Sequence, residues 1–131
     1  LKVLNKRSDG FHNINSIFIQ TNFSDKLFFE KSKIFQLSCD DNKVPTDISN
    51  TIFKAYQILN HKFKFKNHYR IHLNKNIPIG AGLGGGSSNA ACTLLALTNL
   101  LNLNISSENL YKIALDIGSD VPFFLNGGSN N

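Results

Sequence analysis

The sequence predicts a mixed fold of strands and helices, with strands in its first third and then a glycine-rich loop that opens a buried helix. Three observations predict it. Apolar residues alternate or cluster in short runs as far as Leu37, the pattern of half-buried strands. From Ser49 onward they recur at helical spacing in separate segments. Between two of those segments stand Gly80, Gly82, Gly84, Gly85 and Gly86.

Taken in order, Lys6-Arg7-Ser8-Asp9-Gly10-Phe11-His12 combines an Asp-Gly turn with cations and an aromatic–His pair. It reads either as a hairpin turn or as a platform on which Phe11 stacks a flat ring and His12 hydrogen-bonds it. Ile14, Ile17 and Ile19 lie in an extended stretch, followed by the runs Leu27-Phe28-Phe29 and Ile34-Phe35-Gln36-Leu37. Ser24-Asp25 and Lys31-Ser32-Lys33 break these runs, which predicts an antiparallel meander. Asp40 to Asp47 is polar, holds Pro45, and reads as a loop. A helix is expected from about Ser49, with Ile52, Ala55, Tyr56 and Leu59 on one face. Lys62-Phe63-Lys64-Phe65-Lys66 reads as an exposed turn or edge strand, or as a nucleic-acid patch of interleaved cations and aromatics. Tyr69, Ile71 and Leu73 alternate with Arg70 and His72 as a strand.

The run containing Leu94, Leu95, Ala96, Leu97 and Leu100 is apolar nearly all round, so its helix should be buried on most sides. A further helix is predicted from Ser106 as N-cap, with Glu108 in its first turn. Leu110, Ile113, Ala114 and Ile117 form its inward stripe, and Gly118 is expected to end it in the left-handed conformation.

Composition sets outer bounds. The 131 residues suit one domain. With 41% hydrophobic and 18% charged residues, wholesale disorder is not expected. The net charge of +5 suits phosphate-bearing partners without selecting one. No apolar stretch approaches the roughly 18–20 residues of a membrane span, and no secretory signal opens the chain. Cys39 and Cys92 form no CxxC pair and point to a reducing compartment. His61, His68 and His72 have no metal-ligand spacing and read as ordinary surface or strand residues. The chain holds no Met and begins at Leu1, which predicts a piece of something longer.

Dense glycine is entropically costly, so it marks a place where backbone must stand without side chains. A row of bare N–H groups, continued by those of a helix start, receives phosphate oxygens. Ser87, Ser88 and Asn89 are helix-initiating types whose polar groups could also serve a phosphate or its Mg2+. The alternative is a structural turn or linker, but Pro78 and an apolar helix border the segment where linkers have polar borders. No Lys follows the last glycine, as a Walker loop requires. No acidic residue stands about 20 positions on at a second strand end, as a dinucleotide fold requires. Spacing therefore supports phosphate binding and leaves nucleotide and reaction open. Asp120, between Gly118 and Val121-Pro122-Phe123-Phe124, is either a turn cap or a base for a hydroxyl proton.

Ile77 through Ala91 resembles the ATP loop of the GHMP kinases. The longer Gly-Leu-Gly-Gly-Gly-Ser-Ser-Asn-Ala-Ala form, the segment from Lys6 to His12 and the segment from Gly118 to Phe124 resemble members that act on a cytidine-diphosphate sugar alcohol in non-mevalonate isoprenoid synthesis. The resemblance implies an α+β domain of the ribosomal protein S5 domain 2 type, and ATP-dependent phosphorylation of a hydroxyl with Mg2+. It implies that Pro78, Ile79, Gly80, Ala81, Gly82, Leu83, Gly84, Gly85, Gly86, Ser87 and Ser88 cradle the ATP phosphates. Asp120 would take the hydroxyl proton, while Phe11, where the family has Tyr, and His12 would hold the cytosine. Asn50 and Lys75 fall where the family approaches the adenine.

The resemblance also implies an ATP-binding amino-terminal domain, spanning residues 1–131, that is incomplete at both ends. A Pro-Ala-Lys-x-Asn segment with a second catalytic Lys is expected upstream of Leu1, and a carboxy-terminal domain after Asn131. The expected partner is a small molecule, with no nucleic acid and no membrane, in the cytoplasm or a plastid. Other readings are another GHMP small-molecule kinase, a noncatalytic basic nucleic-acid-binding module of S5-like fold, and a poorly folding relic.

Overall fold

The computed structural model describes residues 2–6, 8, 9, 12–15 and 23–126. Strands β1 (Lys2–Lys6) and β2 (His12–Asn15) pair antiparallel, with Val3 opposite Ile14 and Lys6 opposite His12. Ser8 and Asp9 lie in the turn between them, so this backbone is a hairpin. Phe11, Ile17 and Ile19 lie outside the described residues.

A second sheet contains β3 (Lys26–Ser32), β4 (Gln36–Cys39) and β5 (His68–Asn74) in the order β3-β5-β4. Strand β3 pairs antiparallel to β5, and β4 parallel to it. The expected meander is therefore corrected: β3 and β4 are not neighbours, because β5 lies between them. The reason is burial. Tyr69, Ile71 and Leu73 of β5 are 3%, 0% and 1% exposed, whereas the inward residues of β3 and β4 are only half-buried. The strand with the most apolar area to hide takes the middle. A parallel neighbour needs a crossover, which helix α1 (Thr51–Phe63) supplies.

Two details of the strands also change. Lys31 and Ser32 are no break, because they pair with Tyr69 and His68 inside β3. Ile34 and Phe35 precede β4: Ile34 is exposed, and the Phe35 ring stacks on Tyr56 at a centroid separation of 3.7 Å.

Helix α1 begins where Asn50 caps it, the Asn50 side chain accepting from the Ile52 N–H at 2.8 Å. Its predicted stripe Ile52, Ala55, Tyr56 and Leu59 is buried. It ends at Lys64 in the left-handed region with φ 47°, so Lys62 to Lys66 is a helix end and cap, not an edge strand.

Helix α2 (Gly85–Leu100) packs on α1 and on the short α4 (Val121–Leu125). Leu94 and Leu97 are fully buried, worth about 1.5–3 kcal/mol each. The expectation of burial on most sides is corrected, since Cys92, Leu95 and Leu100 are exposed. Apolar residues all round therefore mark a helix with one deep face and one open face. Helix α3 (Ser107–Ile117) starts as predicted, Ser106 accepting from the Asn109 N–H at 3.3 Å.

Gly118 departs from expectation. Its φ of −179° is extended, not left-handed, and a Cβ there would meet Val121 at an ordinary 3.5 Å. Gly118→Ala is thus expected to leave stability unchanged or raise it by about 0.4–1 kcal/mol, by restricting the unfolded chain. A thermal melt shifted clearly downward would contradict this. Among the described residues no helix is long and apolar enough to cross a membrane.

Candidate functional site

The glycine loop runs from the end of β5 into the first turn of α2. It borders an open cleft of about 390 Å³, lined by Val44, Pro45, Ser49, Asn50, Thr51, Leu73, Lys75, residues 78–87 and Asn89. Every residue expected to cradle phosphates lines this cleft except Ser88, and so do Asn50 and Lys75. Gly80, Gly82 and Gly84 have φ of 72°, 69° and 70°, a left-handed alternation that bends the chain into a curl. Gly84 is the N-cap of α2 and carries no side-chain cap. Gly85, Gly86 and Ser87 of that first turn line the cleft and no side chain caps their amides, the condition under which a helix start receives an anion.

Gly84 is needed twice over. An L side chain in its conformation costs roughly 1–2 kcal/mol, and its Cβ would stand 2.8 Å from Cζ of Phe124. Gly84→Ala is expected to destabilise the fold by about 2 kcal/mol or more. A denaturant midpoint equal to that of the parent would refute this.

The remaining contacts fix the loop from below. Thr51 Oγ1 donates to the Gly86 carbonyl at 2.7 Å, and Ser88 Oγ donates to the Gly85 carbonyl at 3.0 Å. Helix α2 begins two residues before Ser87, so Ser87 and Ser88 sit in its first turn and do not cap it.

Asn50 and Lys75 line the cleft with their polar groups already engaged. Asn50 caps α1 with its oxygen and donates from Nδ2 to the Pro45 carbonyl at 2.7 Å. The Lys75 ammonium pairs with Asp25 at 2.8 Å and also donates to the Ile77 carbonyl.

Asp25 is the residue that sequence reasoning missed. It reads as part of a turn-like break, yet its side chain is 1% exposed. It accepts from Lys75 Nζ, from the N–H groups of Asn76 and Ile77, and from Asn89 Nδ2. Burial pushes the Asp25 carboxyl up. The Lys75 ammonium, then the Ile77 N–H, the Asn89 amide and the Asn76 N–H, outweigh that and hold it below the ordinary carboxylate value. No local signal could have found it, because its partners lie 50 or more positions away.

Asp120 does not line the cleft. It is exposed at the N-cap position of α4, makes no capping bond, and accepts from Ser119 Oγ at 3.3 Å. The turn-cap alternative thus lacks its hydrogen bond. Phe124 of the same short helix lies against Gly84, which joins the Asp120 segment to the loop. The backbone of His12 lies in β2, and Phe11 is outside the described residues. Phe63 and Phe65 pack against the core while Lys62, Lys64 and Lys66 stay exposed. Among the described residues no group of three His, Cys, Asp or Glu side chains is placed to hold a metal ion.

Comparisons with known proteins bear on the family and the fold. Residues 50–128 match the family described as the GHMP kinases N terminal domain. A 4-diphosphocytidyl-2-C-methyl-D-erythritol kinase of Thermoanaerobacter pseudethanolicus is 45% identical over 98% of this chain and 45% of its own length. The protein of that name from Protochlamydia amoebophila is 43% identical over the same shares. The chain thus spans less than half the length of these relatives. The crystal structure of a 4-(cytidine 5'-diphospho)-2C-methyl-D-erythritol kinase superimposes with a TM-score of 0.66 at 32% identity, over 95% of this chain and 44% of that one. A homoserine kinase from Cytophaga hutchinsonii shares the fold, with a TM-score of 0.62 at 24% identity, over 80% of this chain and 34% of that one. With its glycine curl at the start of α2 and its α+β scaffold, the chain belongs to the GHMP kinase family.

Proposed function

We propose that this chain is the nucleotide-binding part of a kinase that transfers the γ-phosphoryl group of ATP to the 2-hydroxyl of 4-diphosphocytidyl-2-C-methyl-D-erythritol, in non-mevalonate isoprenoid synthesis. The observation that carries this reading is the curl of Gly80, Gly82 and Gly84 bordering the cleft and ending at the uncapped start of α2. The names of the relatives at 43–45% identity support the acceptor.

Catalysis on this reading is mostly positioning and charge stabilisation. Pro78 shapes the entry to the loop, and the amides of residues 79–88 hold the phosphates in line. Asp120 accepts the proton of the 2-hydroxyl while that oxygen bonds to the γ-phosphorus. The bond from γ-phosphorus to the bridging oxygen breaks, and ADP leaves. Phe11 and His12 hold the cytosine, and Asn50 and Lys75 shape the wall beside the adenine. Mg2+ would come with the triphosphate and neutralise phosphate charge, with the Ser87 hydroxyl on the cleft wall, and Ser88 behind it, as the protein groups that would serve it.

The test is an ATP-consumption assay on the full-length protein that contains these residues. ATP should be spent only when the cytidine-diphosphate sugar alcohol is supplied, with one phosphorylated alcohol per ADP. Equal consumption with and without the alcohol, or with homoserine in its place, would overturn the assignment.

A further inference from the structure

Both feet of the glycine loop rest on one carboxylate. At the first foot, Asp25 Oδ1 accepts from the N–H groups of Asn76 and Ile77, each at 2.7 Å. At the second foot, Oδ2 accepts from Asn89 Nδ2 at 2.8 Å, and it also takes the Lys75 ammonium at 2.8 Å. Asn76 Nδ2 donates back to the Ser24 carbonyl at 3.0 Å. Lys75 reaches on toward the loop: its Nζ lies 3.3 Å from where a Cβ on Gly85 would stand. Residues just before and just after the loop thus converge on a group from the start of β3, and neither foot can move without losing charge-assisted hydrogen bonds.

We propose that Asp25 is a positioning residue for the nucleotide, its carboxylate closing residues 78–88 into the curl that the phosphates meet. This rests on reading the loop as the nucleotide site. Three left-handed glycines make the segment intrinsically permissive. An unpinned loop must be ordered when ligand binds, and that ordering subtracts from affinity. Fixing both feet moves the ordering into folding.

A charge argument points the other way and makes the idea testable by sign. Asp25 is an anion beside a site for a polyanion, so on Coulomb grounds alone its neutralisation strengthens triphosphate binding. If it positions the loop, neutralisation weakens binding. Asp25→Asn separates the two. The introduced amide oxygen can still accept from Asn76 and Ile77, while its nitrogen opposes the Lys75 and Asn89 donors and frees the second foot.

The experiment is calorimetric titration of the full-length protein and its Asp25→Asn variant with the β,γ-imido analogue of ATP and Mg2+, at a temperature where both are on the folded baseline by circular dichroism. The Kd for the analogue is expected to rise about tenfold, the low end for loss of a supporting partner behind a binding group. The Kd for adenosine, which lacks phosphates, should change less than about twofold. An analogue Kd that is unchanged or lower overturns the proposal, as does an equal loss for adenosine. Asn89→Ala cuts the second foot alone and keeps the test available if Asp25→Asn does not fold. It should weaken the analogue in the same direction by a smaller factor, and no weakening overturns the proposal. A parent protein that fails to bind the analogue removes the nucleotide reading itself, whereas a parent that binds while both variants bind equally removes only the positioning role.

Discussion

Asp120→Ala in the full-length protein is expected to lower turnover at least about a hundredfold, the usual scale for a positioned general base. The substitution should be almost silent in stability, within about 0.5 kcal/mol, as for exposed positions without special contacts. The carboxylate is exposed and makes no helix-capping bond. The anchoring of its segment comes from Val121 and Pro122, which are buried and untouched by the change. Because Asp120 does not line the cleft, the KM for ATP should hold while kcat falls, the mark of an interaction made only in the transition state. Turnover within about threefold of the parent would remove Asp120 from the chemistry. A loss confined to KM would move it to binding.

The second large effect is on folding. Asp25→Ala should destabilise the protein by about 3–5 kcal/mol, because breaking a buried ion pair leaves the other charge uncompensated. Lys75 would keep its charge on a side chain that is only 10% exposed, and the N–H groups of Asn76 and Ile77 would lose their acceptor. Against a typical total of about 5–15 kcal/mol, that is a large share. Equilibrium denaturation should show a lower midpoint, and a loss below about 1 kcal/mol would contradict the burial argument.

The same group sets a pH signature. An unfolded Asp titrates near about 3.9, and folded Asp25 titrates lower. Between the two values the unfolded chain binds more protons, so stability rises with pH there. The contribution is complete above about pH 3.9 and is lost as pH falls through the folded value. Asp40 and Asp47 are also held below the ordinary value, chiefly by the Lys75 N–H and the Ser49 hydroxyl respectively. The informative quantity is therefore the parent curve minus the Asp25→Ala curve, whose slope should be positive in that acid window and vanish above it. A flat difference would contradict the assignment.

Helix α1 was legible because its stripe repeats within a few turns, and α3 because Ser106 and its apolar spacing are neighbours in the chain. The glycine curl was legible for the same reason: left-handed backbone is a demand each residue meets on its own. Gly118 misled because a helix-ending glycine usually marks a left-handed turn, while here the chain continues extended into the tight turn before α4. The burial of α2 misled because composition counts apolar residues without saying how many neighbours the fold can bring. Leu95 and Leu100 face outward although their sequence matches that of Leu94 and Leu97.

By itself the sequence determined most of the helices and the central strand β5, where the glycine-rich backbone stands, and through its motifs which family this is. All of these are written in patterns a few residues long. Tertiary structure alone decided that β5 separates β3 from β4, that Lys75 spends its ammonium on Asp25, and that Asp25 holds both feet of the loop. The last two depend on closing chain segments of 50 and 64 residues onto one carboxylate. Which groups meet after such a closure is chosen by competition for burial and hydrogen-bond partners across the whole domain, and no local period records it.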